Sequence, residues 1–319
     1  MLNIYGGFST LFHLLVRFPL IVLFIALIGG GVIYKSYKTS TIQPKTKLEA
    51  VVNVISNDAS AAVPTKIVTA PVVSEVTGIP VIGYHRLVND DTHQDQMVTS
   101  VSRFIEEMNY LHDNGYQTLS MDELVDVMTY QKPMPEKAVV INFDDGFDSA
   151  LLAVPALETL KMKASFWIIT GYAGVSPSWQ KYMTWEQIAV LSKNPNFEIQ
   201  SHTVTHPYLD DSNLITWMAG TTKDRGVIDV VSEITDSKMS LERNIGKPVN
   251  YLAWPAGYYN AELIRMAKKA GYKGTTTTDE GVNKPGDNPF AIKRLFVDGS
   301  CNLEQFARMM KTKTTTICH

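Results

Sequence analysis

Ten residues near the middle of the chain, Val139-Val140-Ile141-Asn142-Phe143-Asp144-Asp145-Gly146-Phe147-Asp148, narrow what it can become more than any other stretch. They begin as a short β-branched apolar run, the pattern of a buried strand. The run stops at two adjacent carboxylates and a glycine. Successive strand residues point to opposite faces, so Asp144 and Asp145 can serve one site only where the strand ends and the backbone turns. Gly146 can take the angles such a turn requires. Carboxylates at the carboxyl end of a buried strand stand where α/β folds place their chemistry. The competing reading is an Asp-Gly surface turn with a spare charge.

The flanking sequence alternates strand and helix. Strands are expected at Pro80-Val81-Ile82-Gly83-Tyr84-His85, Ala164–Ile169, Phe197–Ser201, Leu252–Pro255 and Gly274–Thr278. Helices are expected from Phe104 toward a stop near Gly115, over Ala153–Leu160, from a Thr184 cap through Leu191, and over Ala261–Ala270. Ser120 with Glu123 three residues on reads as a capping box. Such alternation predicts parallel strands joined by crossover helices. The element count favours a barrel or near-barrel over a small open sheet.

Three regions are expected. Residues 1–35 hold a run from Phe18 to Tyr34 without a charged side chain. A bilayer span takes about 20 apolar residues, with a lower limit of about 17. The run predicts a single transmembrane anchor. A cleaved signal peptide is the alternative, but no small-x-small cleavage site follows closely. Residues 36–78, rich in Ser, Thr, Ala, Val and Lys, read as a flexible tether, and residues 79–319 as the folded domain. Arg17 precedes the apolar run while Lys35, Lys38, Lys45 and Lys47 follow it, a bias that leans toward a cytoplasmic main domain.

A net charge of -3 and the lack of a basic tract argue against a nucleic-acid partner. The two cysteines, Cys301 and Cys318, can form one bridge or stay as free thiols, and their positions do not decide between these.

His202-Thr203-Val204-Thr205-His206-Pro207 is the second informative stretch. Pro207 and the strand before it argue for a loop. A lone histidine pair is as often structural. Joined to the Asp-Asp-Gly turn, two imidazoles and one carboxylate make a ligand set with open positions. A metal lowers the pKa of bound water toward about 7, and a nearby carboxylate can take its proton. Asp145 as ligand and Asp144 as base is a coherent division.

With Phe143-Asp144-Asp145-Gly146 and His202–Pro207 in this order, the sequence over roughly residues 79–310 resembles the polysaccharide deacetylases, the NodB-homology carbohydrate esterases. Tyr84-His85-Arg86 and Leu252-Ala253-Trp254-Pro255-Ala256-Gly257-Tyr258-Tyr259-Asn260 are similar to the branch that trims biofilm poly-N-acetylglucosamine. The resemblance implies a distorted (β/α) barrel of about seven parallel strands and metal-dependent de-N-acetylation of an N-acetylglucosamine-containing glycan. It implies Asp144 as general base, Asp145, His202 and His206 as metal ligands, and the backbone N–H of Ala256 as oxyanion donor. Zinc suits the set best, with nickel, cobalt or iron able to occupy it. An extracytoplasmic polymer implies a domain outside the cytoplasmic membrane.

The sequence departs from the family pattern in two places. Ala253-Trp254 stand where many relatives carry an arginine that orients the catalytic aspartate, so Arg294 is expected to reach back to Asp144; a surface cation is the alternative. No histidine matches the late general acid, which leaves His85 as candidate acid or substrate contact, or as a buried structural histidine. Trp254 and Tyr258 are the aromatic residues expected to meet sugar. Two further readings are a carbohydrate-binding protein without turnover and an O-acetyl esterase.

Overall fold

A computed structural model describes residues 77–92, 94–175 and 180–318. The expected anchor over 18–34 and nearly all of the 36–78 tether lie outside the described residues. Among the described residues no helix is long and apolar enough to cross a membrane.

Seven strands carry the architecture: β1 (Ile79–Tyr84), β2 (Ala138–Phe143), β3 (Ala164–Ile168), β4 (Phe197–Ser201), β5 (Tyr251–Ala253), β6 (Gly274–Glu280) and β7 (Ile292–Phe296). Each pairs in parallel with its neighbour in chain order, and β7 returns to pair with β1. The sheet is therefore a closed barrel without free edges between these strands. Two seams are irregular. The register of β6 against β7 shifts between Thr276 and Glu280, and β4 meets β5 at one registered pair, Ser201 with Leu252.

Side chains complete the thin β4–β5 seam. Gln200 Oε1 accepts from the backbone N–H groups of Asn250 and Tyr251 at 3.1 and 3.0 Å. Buried backbone donors need such partners where a ladder does not reach them.

The strands alternate between two apolar layers. Val81, Val140, Trp167, Tyr251, Ala253 and Ile292 form one buried cluster. Val139, Ile141, Phe143, Phe166, Ile199 and Leu252 belong to a second, packed with helix residues. The helices are α1 (Val101–Asp113), α2 (Met121–Met128), α3 (Val154–Thr159), α4 (Trp185–Leu191), α5 (Leu214–Met218), α6 (Val227–Ile245), α7 (Ala261–Lys269) and α8 (Leu303–Thr312). The Ser120–Glu123 capping box starts α2, and α1 ends just before Gly115, whose φ is +73°. Asp148–Ala153 forms a 3-10 turn leading into α3.

The sequence reading missed β7 and the 19-residue α6. Lys293 and Arg294 interrupt the apolar pattern of β7. On α6 the exposed residues Val227, Ile228, Val231 and Met239 blur the helical period. Cys301 and Cys318 are bridged, tying the last residues to the segment before α8.

Candidate active site

Strand parity explains how residues distant in sequence meet. Val140 lies in the inner cluster, so Asn142 and Asp144 fall on the same side of the chain. Ile292 and Arg294 stand in the same relation on β7. Asp144 and Arg294 therefore converge at the barrel mouth from 150 residues apart, with Arg294 Nη1 2.8 Å from both Asp144 oxygens. Arg294 Nε donates to Thr277 O at 2.8 Å, and its guanidinium lies 4.6 Å from the Phe296 ring centre. Both side chains are almost fully buried, at 1% and 3% exposure. The backbone N–H of Asp144 donates to Tyr84 O at 2.9 Å.

Asp145 turns away by taking φ +69° itself, followed by Gly146 at +74°. Gly146 makes the turn as expected, and the aspartate before it also adopts the left-handed region, which short polar residues tolerate best after glycine. This places Asp145 Oδ1 3.4 Å from His202 Nε2 and 3.8 Å from His206 Nε2. One donor atom from each of the three residues lies within 4.8 Å of the others.

The imidazoles are aimed by the backbone. His202 Nδ1 sits 2.9 Å from Ala253 O. A carbonyl only accepts, so Nδ1 carries hydrogen and Nε2 is left facing Asp145. For a neutral ring this opposes a nitrogen lone pair to a carboxylate oxygen, and a cation between them resolves the conflict. Burial and the His202 charge push His206 down to about 3, against the pull of Asp145 and Asp144, which keeps it a neutral donor. Burial acts to raise Asp145, but the imidazoles grouped around it, His202 foremost, outweigh that and hold the carboxyl well below the usual range. The donor set fits a divalent metal ion.

The histidine loop is held in uncommon conformations. Thr203 and His206 have φ of +66° and +53°, and Ala256 has +47°. A β-branched residue such as Thr203 seldom adopts this region. With Asp145, these make four of the eight non-glycine residues with positive φ among the described residues. Strain is thus concentrated at the loops that form the site.

His85, directly after β1, brings Nε2 to 4.0 Å from Asp144 Oδ2. Its ring stacks on Phe296 at 5.4 Å, and its buried Nδ1 has no hydrogen-bond partner among the described residues. His85 and Ala256 both border a cavity of about 350 Å³ that also contains Asp144, Asp145, His202, His206 and Arg294. Trp254 borders it too, but its side chain is fully buried in the layer against the helices, so it offers no open sugar face. Tyr258 lies outside the cavity lining and donates to Asp210. The exposed aromatic at the rim is Tyr208, 57% exposed and 5.5 Å from the His206 ring. Met97 lines the same cavity and is also exposed. Sequence reading passed over Tyr208, although its place just after His206-Pro207 was a usable signal.

The polysaccharide deacetylase family profile matches residues 131–275. The Bacillus subtilis (strain 168) protein YxkH, whose name places it with the polysaccharide deacetylases, is 30% identical over 220 residues, spanning 69% of this chain and 71% of that protein. The poly-beta-1,6-N-acetyl-D-glucosamine N-deacetylase of Escherichia coli (strain K12) is 24% identical over 266 residues, covering 74% of this chain and 39% of that longer enzyme. Among solved structures, IcaB from Ammonifex degensii shares the fold with a TM-score of 0.63 at 21% identity, over 75% of this chain and 98% of that one. The Streptococcus pyogenes deacetylase PplD, solved with acetate, gives 0.61 at 23% identity, over 74% and 99%.

Proposed function

The chain belongs to the polysaccharide deacetylase family, and from that premise we propose that it removes N-acetyl groups from an N-acetylglucosamine polymer by metal-assisted hydrolysis. One observation carries the reading: the Asp145, His202 and His206 donors converge beside an Asp144 carboxylate held by Arg294, in an open cavity. A divalent ion held by those three residues, zinc by preference, would supply an acidified water and polarise the acetyl carbonyl.

The protein's own groups do the rest. Asp144 takes the proton from the attacking water, and Arg294 fixes the carboxylate in the orientation to do so. The backbone N–H of Ala256 donates to the carbonyl oxygen as negative charge grows there, a contact of a type worth about 3 kcal/mol in the transition state. His85 is the remaining imidazole close enough to hand a proton to the departing nitrogen. Tyr208 offers its ring to a sugar face at the cavity rim.

The named substrate of the E. coli relative supports a β-1,6-linked N-acetylglucosamine polymer as the glycan. The Cys301–Cys318 bridge supports a domain working outside the cytoplasmic membrane, where disulfides persist. A retained apolar segment at residues 18–34 would tether it there.

The test is acetate release from N-acetylglucosamine oligomers by the full-length protein, with chelator, with zinc or cobalt restored, and beside Asp144→Asn. Chelator-sensitive release that Asp144→Asn abolishes is the expected result. Oligomer binding without release under any metal would overturn it in favour of a binding protein.

A further inference from the structure

We infer that Glu233, on α6, is a positioning residue that sets the affinity of the Asp145–His202–His206 site for its metal by holding the histidine loop in its strained shape. The inference rests on the metal reading above and concerns a residue that is not itself a ligand.

The loop between the two histidines spends its backbone donors on side chains. Thr203 N–H reaches Ser201 Oγ at 3.3 Å, and His206 N–H reaches Thr203 Oγ1 at 3.1 Å. The two donors between them, Val204 N–H and Thr205 N–H, both point at Glu233 Oε2, each at 2.8 Å. Thr205 Oγ1 donates to the other oxygen, Oε1, at 2.6 Å. Glu233 is 4% exposed. Successive N–H groups around a left-handed residue form a concavity suited to an anion, and here Glu233 supplies that anion.

The opposite side of the loop is fixed by main chain. Thr170 N–H donates to Thr203 O at 3.1 Å and Gly171 N–H to Val204 O at 2.8 Å. A Cβ on Gly171 would lie 2.6 Å from Val204 O, so this approach requires glycine. That strand-end contact sets where the loop lies. Glu233 compensates the left-handed Thr203 and His206 that turn both imidazoles toward Asp145. Without it, two backbone donors and a hydroxyl of the loop lose their acceptor, and the chain gains by relaxing to ordinary angles. The imidazoles would then no longer converge.

Partners behind metal ligands typically change affinity by about 10–100-fold when removed, and that is the size expected here. Glutamine at 233 keeps one acceptor oxygen but presents an NH₂ group where the other carboxylate oxygen accepted. Glu198, half-buried near the start of β4, serves as the control, since its Oε2 accepts from Met121 N–H and Ser165 Oγ, each at 2.8 Å, and touches no metal ligand.

The experiment titrates cobalt into metal-free full-length protein without substrate, reading the visible spectrum and chelator competition well below each variant's melting temperature. Glu233→Gln and Glu233→Ala should weaken cobalt binding about 10–100-fold and alter the spectrum. Glu198→Gln should lower the melting temperature and leave cobalt affinity unchanged. Wild-type affinity in both Glu233 variants, with only the melting temperature reduced, would overturn the inference and leave the metal reading standing. No cobalt binding by the wild-type protein would overturn both.

Discussion

A single nitrogen of Arg294, Nη1, contacts both carboxylate oxygens of Asp144 at 2.8 Å, with both residues buried. This arginine comes from β7, whereas the family pattern places an orienting arginine at the position of Ala253-Trp254. The same geometric task is performed from another strand. Removing the cation leaves a buried charge without its partner, which costs about 3–5 kcal/mol. Arg294→Ala should therefore lower the melting temperature by on the order of 10 °C and reduce acetate release. Arg294→Lys should recover little, because a point charge cannot keep both Asp144 and Thr277 O. Thermal melts and turnover together check this; two unchanged values would show the pair to be idle.

Asp144 itself is the stronger test of chemistry. General-base catalysis typically contributes about 10²–10⁴-fold, so Asp144→Asn should lower kcat by that order while the cobalt spectrum of the site stays close to wild type. A lost spectrum would instead make Asp144 a ligand.

Tyr208 should act on binding rather than on the chemical step. Aromatic contacts of this kind are worth about 0.5–1.5 kcal/mol, so Tyr208→Ala should raise KM for N-acetylglucosamine oligomers several-fold with kcat nearly unchanged. A fall in kcat at constant KM would place the ring in the reaction instead.

Glu107 on α1 gives the fold a pH dependence. Burial pushes its carboxyl up to about 8, despite the hydrogen bond it accepts from Tyr84 Oη at 2.7 Å. Between the ordinary glutamate value of about 4.3 and 8 the unfolded chain is ionised while the folded one keeps its proton, so the folded state binds more protons and stability falls as pH rises. The slope approaches about 1.4 kcal/mol per pH unit at most. Glu107→Gln should flatten that decline, measured as denaturant midpoints from pH 5 to 8.

Cys301 and Cys318 are 17 residues apart and bridged. Closing a loop of that length stabilises by about 3 kcal/mol in the chain-entropy account. Reduction, or Cys301→Ser, should lower the melting temperature by roughly 6–12 °C, read by calorimetry with and without reductant.

Much of this was open to a reader of the sequence, for reasons visible in particular residues. The run Val139–Phe143 has one apolar pattern and one sensible ending, and His202–Pro207 offers two imidazoles in a stretch that cannot continue as helix. Arg294 could be named as the partner of Asp144 because another cation was missing where one was needed. Glu233 was beyond reach, since nothing local distinguishes it from other helical glutamates until the loop folds onto it. Trp254 does border the cavity, but strand parity buries its side chain in the layer against the helices, which the sequence alone does not show. The hydrogen bond from Tyr258 to Asp210, outside the cavity lining, likewise depends on how the turn folds.

The thin seam between β4 and β5 has a further consequence. Its single registered pair is flanked by two side-chain contacts, Gln200 with Asn250 and Tyr251, and His202 with Ala253 O. One imidazole thus faces Asp145 and the candidate metal site through one nitrogen and fastens two strands through the other. An ion bound by Asp145, His202 and His206 would immobilise the ring and, through Ala253 O, the seam beneath it. Local opening, and with it solvent exchange of amides along Tyr251–Ala253, would then depend on occupancy of a centre that those amides never touch.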